Sequence, residues 1–334
     1  MDKKHLKSIF ESFITKNILI VGDVMVDQYI WGKVERISPE APVPVVSITS
    51  RENRLGGAAN VALNIKSMGA CPIICSVIGD DEKGKIFSKM LKKNKMDDYG
   101  LLISDKRKTT VKTRVISNNN HLLRIDDEDT VLISKKEENL LYDIILKIFK
   151  KQSIDVVIFQ DYDKGVITED LIKKVIDLCN KYNVQSAVDP KKRNYSFYNG
   201  VTLFKPNFKE MVEGSKTDLH KDDYDGIFKV AQKIKTRMNA EYVFVTLSEL
   251  GVFITDGKVY NRIPAQIRDI ADVSGAGDTV ISLAALCLSV GLDIKEIAEI
   301  SNMAGGLVCE KSGVVPIDKN KLFDKLSMIR YNAG

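Results

Sequence analysis

The chain is short of the residue types that build cross-links and metal clusters. Its 334 residues include five cysteines and three histidines. The cysteines (Cys71, Cys75, Cys179, Cys287 and Cys309) form no Cys-x-x-Cys pair, and most sit in apolar surroundings. They read as buried structural thiols. Histidines as scattered as His5, His121 and His220 argue against zinc. No apolar run approaches the length of a membrane span, and the opening MDKKHLKSIFESF has no apolar signal core, so the expectation is a cytoplasmic protein without a membrane partner. Charge of one sign is also scarce. A net +5 is a small excess of 50 basic over 45 acidic residues, the lysine runs sit among carboxylates, and no basic-aromatic stripe for nucleic acid appears.

What is present is alternation. The apolar run at 17–21 ends at Gly22 and reads as a buried first strand. Residues 1–16 read as an amphipathic helical lead-in. Strand-like segments at 72–78, 155–159, 185–188, 201–205 and 242–246 alternate with helix-like ones at 84–93, 135–150, 168–181 and from 207. Two further strands near 251–255 and 258–263 precede helices at 276–290 and 294–310. Repeated β-then-α units of this length predict an α/β fold, a mostly parallel sheet flanked by helices. Two polar, extended stretches, about 24–48 and 108–125, break the rhythm and are expected to form a small β-sheet lid on a single domain spanning 1–334.

Four segments carry candidate chemistry. Asp272-Val-Ser-Gly275-Ala276-Gly277-Asp278-Thr opens a long small-residue helix. Its glycines let successive N–H groups converge into an anion-binding nest at a helix N-terminus. An aspartate there adds repulsion for a bound phosphate, but it suits a base that abstracts a proton while the N–H groups hold charge developing on a transferred phosphoryl group. A structural turn with a capping Asp is the plainer alternative. Lys205-Pro-Asn207-Phe-Lys-Glu210 begins another helix, and the pair suits control of a phosphate-bound magnesium through water; an ordinary capping box explains the same residues. Arg54-Leu-Gly56-Gly57-Ala-Ala-Asn60, with Asp23 and Asp27 just past the first strand, offers the carboxylates and amide that a polyol needs. The near-P-loop at 79–85 fails, because residue 86 is Ile and three acidic residues would repel phosphate.

In this order the four segments resemble the ribokinase/PfkB carbohydrate kinases, whose two signatures are the Gly-Gly-Ala-Ala-Asn and Gly-Ala-Gly-Asp segments. The resemblance runs over roughly residues 17–316. Within that family, RISPEAPVPVV, RLGGAANVALNI, QDYDKGV, KPNFKE, VTLSELGV and DVSGAGDTVISLAA look like the heptose 7-phosphate kinases that serve ADP-heptose and lipopolysaccharide core synthesis. The resemblance implies ATP-dependent phosphorylation of the anomeric hydroxyl of D-glycero-D-manno-heptose 7-phosphate. It implies Asp278 as the base and Gly275, Ala276 and Gly277 as the anion hole. Asn207 and Glu210 would lie in the ATP–Mg2+ region with no direct metal ligand, Thr246, Ser248 and Gly251 by the nucleotide, and Asn302 near the adenine. Asp23, Asp27, Gly56, Gly57 and Asn60 would hold the sugar. The alternating Lys112 and Arg114, with Arg124, are candidates for its distal phosphate. A monovalent cation is a further candidate cofactor, and a homodimer through the lid is expected. Ser248 departs from the Gly of many family members, as the heptose kinases do. No His-x-Gly-His nucleotidyl-transfer motif is present, so a stand-alone kinase is expected. The competing readings are a kinase for another sugar and a non-catalytic nucleotide or sugar sensor on the same fold.

Overall fold

The computed structural model describes residues 2–118, 120–266 and 269–328. Helix α1 (Lys3–Ser12) leads into β1 (Asn17–Gly22), followed by the long β2 (Val24–Ile37) and β3 (Pro44–Gly57). Then come α2 (Ala58–Ser67), β4 (Cys71–Gly79), α3 (Glu82–Lys93), β5 (Leu101–Ser104), β6 (Val111–Ser117), β7 (Asn120–Asp127) and α4 (Lys135–Lys151). Next are β8 (Val156–Gln160), α5 (Glu169–Tyr182), β9 (Gln185–Asp189), β10 (Leu203–Phe204), α6 (Phe208–Ser215) and α7 (Tyr224–Met238). The series closes with β11 (Tyr242–Thr246), β12 (Val252–Thr255), β13 (Tyr260–Ile263), α8 (Ala276–Ser289), α9 (Ile294–Val308) and α10 (Lys319–Met328).

The large sheet has the order β13-β12-β11-β10-β9-β8-β1-β4-β5. It is parallel from β5 to β11, and β12 and β13 run antiparallel at one edge. Strand β1 is buried on both faces because its period-two side chains feed two cores. Ile18 and Ile20 pack with residues of α2, α8 and α9, whereas Leu19 and Val21 pack with residues of α4 and α5. Helix α8 is buried along almost its whole length, which explains its run of small and apolar residues. The chain leaves β1 towards β4 on one side and is met by β8 on the other. The carboxyl ends of β1 and β8 therefore flank a crevice where open α/β sheets bind ligands.

The small sheet has the order β3-β2-β6-β7. It extends further than the sequence suggested. Strand β3 pairs with β2 all the way from Pro44 opposite Ile37 to Gly57 opposite Val24, and β7 continues to Asp127. Residues 49–57 are too charged to show a strand pattern, and their partner strand supplies the order. Asn119, inside the expected 108–125 hairpin, lies outside the described residues. Strand β5 and helices α7 and α10 also went unanticipated. Among the described residues, no helix is long and apolar enough to cross a membrane.

Candidate active site

The site assembles where α2 and α8 meet the ends of β1, β8 and β9. Gly275 precedes α8 with a left-handed φ of 84°, and a Cβ there would come within 2.9 Å of Asn60 Nδ2. This close approach lets the turn rest on α2. Asn60 donates to Asp278 Oδ2 at 2.8 Å. One turn along, Asn64 Oδ1 accepts from Thr279 Oγ1 at 3.2 Å and from the Ile317 N–H at 2.9 Å. The Gly-Gly and Gly-Ala-Gly-Asp segments are thus one hydrogen-bonded unit. The first N–H groups of α8 have no earlier helical carbonyl to bond, which leaves an anion-attracting helix end beside the aspartate.

Asp278 is buried, and two residues beyond the four sequence motifs also reach it. Gln160, the last residue of β8, donates from Nε2 to Oδ1 at 3.0 Å, and the Tyr162 hydroxyl donates to the same oxygen at 2.6 Å. Burial pushes the carboxyl up to about 7; the bonds from Asn60 and Tyr162 pull it down, and the nearby Asp189 and Asp27 carboxylates push it up. A carboxyl poised near neutrality is suited to general-base work.

Asp23 takes a different place from the one expected. Its carboxylate accepts the N–H groups of Tyr162 (2.8 Å), Lys164 (3.1 Å) and Val166 (3.1 Å), and the side chain is buried. Through these bonds it clamps the 162–166 loop that carries Tyr162, a use the sequence did not suggest. Burial, with Asp161 nearby, raises it to about 6 despite the three donors.

Asp27 is buried on β2 and forms an ion pair with Arg114 of β6. Gly56, opposite Met25, leaves room for this carboxylate, since a Cβ there would sit 2.1 Å from Asp27 Oδ2; Gly57, with φ of 60°, passes against the Asp23 carbonyl. The Arg54 and Arg114 guanidinium groups lie 4.7 and 5.4 Å from the centroid of the buried Tyr29 ring. Arg54 also forks onto Glu52 and donates to the Ser312 and Val314 carbonyls, while the Tyr29 hydroxyl accepts from the Val314 N–H, tying the small sheet to the loop after α9. Arg114 pairs in register with Tyr29 and Arg124, and Lys112 with Asp27 and Asp126, so these side chains share one face. Every cation here already has an acidic partner. Lys112 binds Asp126 and Glu128 (3.1 and 3.2 Å), Lys164 binds Glu128 (2.6 Å), and the exposed Arg124 binds Asp126 (3.0 Å).

On the far side of Asp278, Asn207 caps α6. It accepts the Glu210 N–H at 2.9 Å while Glu210 Oε2 accepts the Asn207 N–H at 2.8 Å, a full capping box. The other Glu210 oxygen pairs with Lys191. Burial pulls the Lys191 ammonium down, but the Asp189 and Glu210 carboxylates outweigh it and hold its pKa above the ordinary value. The ammonium lies 5.9 Å from the Tyr162 ring, whose hydroxyl reaches Asp278. Lys205, fully buried, binds Asp189 at 3.1 Å. Asn207 bridges to Thr246. Ser248 opens an exposed 3-10 turn (Ser248–Leu250) that ends at Gly251, whose φ of 89° brings it under the Ile263 carbonyl. Asn302 donates to the Pro264 carbonyl at 2.9 Å. The lysine and the helix N-terminus suit phosphate oxygens, whereas among the described residues no group of three or more His, Cys, Asp or Glu side chains forms a metal site.

Asp189 and Lys191 are members that sequence reasoning missed, and Gln160, Tyr162 and Lys205 stood in quoted segments without being given a role. Each follows or ends a short apolar strand, and that position, at the carboxyl edge of a parallel sheet, was the available signal.

Residues 15–320 match the pfkB family carbohydrate kinase profile. The chain is 34% identical over 329 residues to the "bifunctional protein HldE" of Pelobacter propionicus, covering 98% of this chain and 67% of that protein. It is 38% identical to that of Sulfurimonas denitrificans (94% of this chain, 65% of the relative) and 40% identical to that of Helicobacter pylori J99 (89% and 64%). The chain therefore spans about two thirds of the length of these relatives. Its fold is shared with phosphofructokinase-2 from Escherichia coli in complex with potassium (TM-score 0.78, 19% identity, 94% and 99% covered). It is also shared with Arabidopsis thaliana ribokinase complexed with ribose and ATP (TM-score 0.71, 15% identity, 92% and 99% covered).

Proposed function

The chain belongs to the pfkB family of carbohydrate kinases, and from that premise we propose that it transfers the γ-phosphoryl group of ATP to the anomeric C1 hydroxyl of D-glycero-D-manno-heptose 7-phosphate. The product is the β-1,7-bisphosphate. The observation that carries the reading is the buried Asp278 at the N-terminus of α8, held by Asn60 and tuned to about 7. Asp278 receives the hydroxyl proton as that oxygen forms its bond to phosphorus and the bond to the ADP oxygen breaks. The N–H groups at 275–277 stabilise charge on the group in transfer. Lys191, beside Glu210 and Tyr162, is read as the cation that meets the γ-phosphate. Magnesium, carried on the ATP phosphates near Asn207 and Glu210, would neutralise phosphate charge. The nucleotide is read to lie along Thr246, Ser248, Gly251 and Asn302, and the sugar against Asp27, Gly56, Gly57 and Asn60. Asp23 is read as the clamp of the Tyr162 loop and not as a sugar ligand.

The heptose assignment rests on the HldE relatives and on the cationic face of the small sheet, where Lys112, Arg114 and Arg124 are available to a distal phosphate. Because each of these cations is already paired with a carboxylate, phosphate binding requires partner exchange. That pairing is also the observation favouring a second reading, a kinase for a sugar with no distal phosphate. The dependence on ATP argues for a cytoplasmic enzyme. A homodimer is proposed through the other face of the small sheet, where Leu123 and Ile125 are exposed beside Ile30 and Val115.

The test is ATP consumption with D-glycero-D-manno-heptose 7-phosphate, sedoheptulose 7-phosphate, fructose 6-phosphate, ribose and no sugar, each with and without Mg2+ and K+. Turnover with the first sugar alone, lost on chelation of Mg2+, is expected. Turnover confined to ribose would overturn the phosphate-clamp assignment in favour of the second reading.

A further inference from the structure

A carboxylate oxygen offers two lone-pair directions to donors. Oδ1 of Asp278 is filled by two, Gln160 Nε2 at 3.0 Å and the Tyr162 hydroxyl at 2.6 Å, while among the described residues Oδ2 holds Asn60 Nδ2 alone, at 2.8 Å. One site on Oδ2 is therefore left for an incoming hydroxyl.

Both Oδ1 donors are fastened to rigid structure. Gln160 ends β8, pairs with Gly22 and Asp189 in the neighbouring strands, and accepts the Asp23 N–H on its carbonyl at 3.1 Å. A Cβ on Gly22 would meet that carbonyl at 2.0 Å, so the two strand ends sit together as closely as glycine allows. Tyr162 is pinned by its own N–H to Asp23 Oδ2 at 2.8 Å. Asp23 thereby reaches the base indirectly, through the loop it clamps. Gln160 is 1% exposed and its Oε1 has no partner among the described residues, an unpaired acceptor beside the base that a substrate hydroxyl would satisfy. Burial, with the Asp278 carboxylate beside it, holds the Tyr162 phenol well above its ordinary range, so it remains a donor.

We propose that Gln160 and Tyr162 are positioning residues that saturate Oδ1 of Asp278 and thereby make Oδ2 the atom that receives the proton of the acceptor hydroxyl. The proposal rests on the kinase reading for the identity of that hydroxyl, but not for the arrangement of the carboxyl. The charged groups facing Asp278 from other elements are Asp189 on β9, itself bound to Lys205, and Asp27 on β2, itself bound to Arg114; Lys191 lies over the Tyr162 ring. A Tyr162→Phe change leaves all of them in place and removes one donor that favours the ionised base.

The experiment compares the full chain with Tyr162→Phe and, as a second variant, Gln160→Met. It measures kcat and KM across pH together with the 13C titration of aspartate side-chain carboxyls, the Asp278 signal being assigned by its loss in Asp278→Asn. The expected result for Tyr162→Phe is a kcat lower by about tenfold to a hundredfold at neutral pH. The KM for ATP is expected to be unchanged, and both the acid limb of the rate profile and the Asp278 titration move to higher pH. A folded Tyr162→Phe or Gln160→Met protein whose Asp278 titration is unmoved would overturn the proposal. Should the parent enzyme phosphorylate none of the sugars, the kinase reading fails, and the carboxyl titration, which needs no substrate, still decides the positioning role.

Discussion

Replacing Asp278 by Asn separates the cost of this residue to the fold from its use in the reaction. The carboxyl is 3% exposed and titrates near 7 in the fold, against 3.8 for the ordinary side chain. Each tenfold gain in proton affinity corresponds to about 1.4 kcal/mol, so holding the ionised form costs the folded state about 4 kcal/mol above pH 7. The sign follows from proton linkage. Between pH 4 and 7 the folded protein binds a proton at Asp278 that the unfolded chain has released, so this contribution to stability falls as pH rises. At pH 5 the cost is only about 2 kcal/mol, and near pH 4 it vanishes. Asp278→Asn carries no such titration. It does turn an amide N–H towards one of the three donors around the site, a pH-independent loss of about 1–3 kcal/mol. Asp23, raised to about 6, titrates with the same sign but is present in both proteins and cancels. Urea unfolding of both proteins at pH 5, 6, 7 and 8 should show the stability of Asp278→Asn, relative to the parent, rising by about 2–3 kcal/mol from pH 5 to pH 8. Over the same range its kcat should lie about 10²- to 10⁴-fold below the parent. Parallel stability curves would refute the burial argument, and undiminished turnover in the folded variant would refute the base.

Two further outcomes follow from the small sheet. Arg114→Ala strips Asp27 of its buried cation, and a loss of about 3 kcal/mol in stability is expected by denaturation. It should also raise KM for a 7-phosphate sugar about tenfold or more, with KM for ATP unchanged, since charge-assisted bonds contribute about 1.5–3 kcal/mol; an unaltered sugar KM in the folded variant rejects the phosphate role. Leu123→Glu places a charge on the exposed apolar face. Sedimentation should show a dimer for the parent and a monomer for the variant, and a monomeric parent would dismiss the dimer.

Much of the fold was legible because periodicity survives in the chain. Runs such as those at 17–21, 155–159 and 242–246 are apolar enough to be strands buried on both faces, and all three were found within a residue or two. The charged second half of β3 was not, since its run of exposed residues followed by buried ones carries no period-two alternation. The site divides in the same way. Asp278, Asn60 and the glycines around them lie in composition-biased segments whose turn chemistry is local. Lys205 opens the segment that holds Asn207 and Glu210, but its burial against Asp189 of another strand has no local signal.

The sequence alone determined the α/β alternation, the glycine turns and the identity of the carboxylate at the head of α8. These depend on neighbours in the chain, on φ freedom and on side-chain period. Only the tertiary structure decided what each carboxylate does. Asp23 and Asp27 sit four residues apart in one segment, yet one is bonded to the backbone of a loop some 140 residues away, and the other is paired with Arg114 on a neighbouring strand. Asp278 likewise owes its near-neutral titration to burial, which the bonds from Asn60 of α2 and Tyr162 of the loop after β8 only partly offset. Ionisation and hydrogen bonding respond to what lies within a few ångströms in space, a distance that no spacing along the chain encodes.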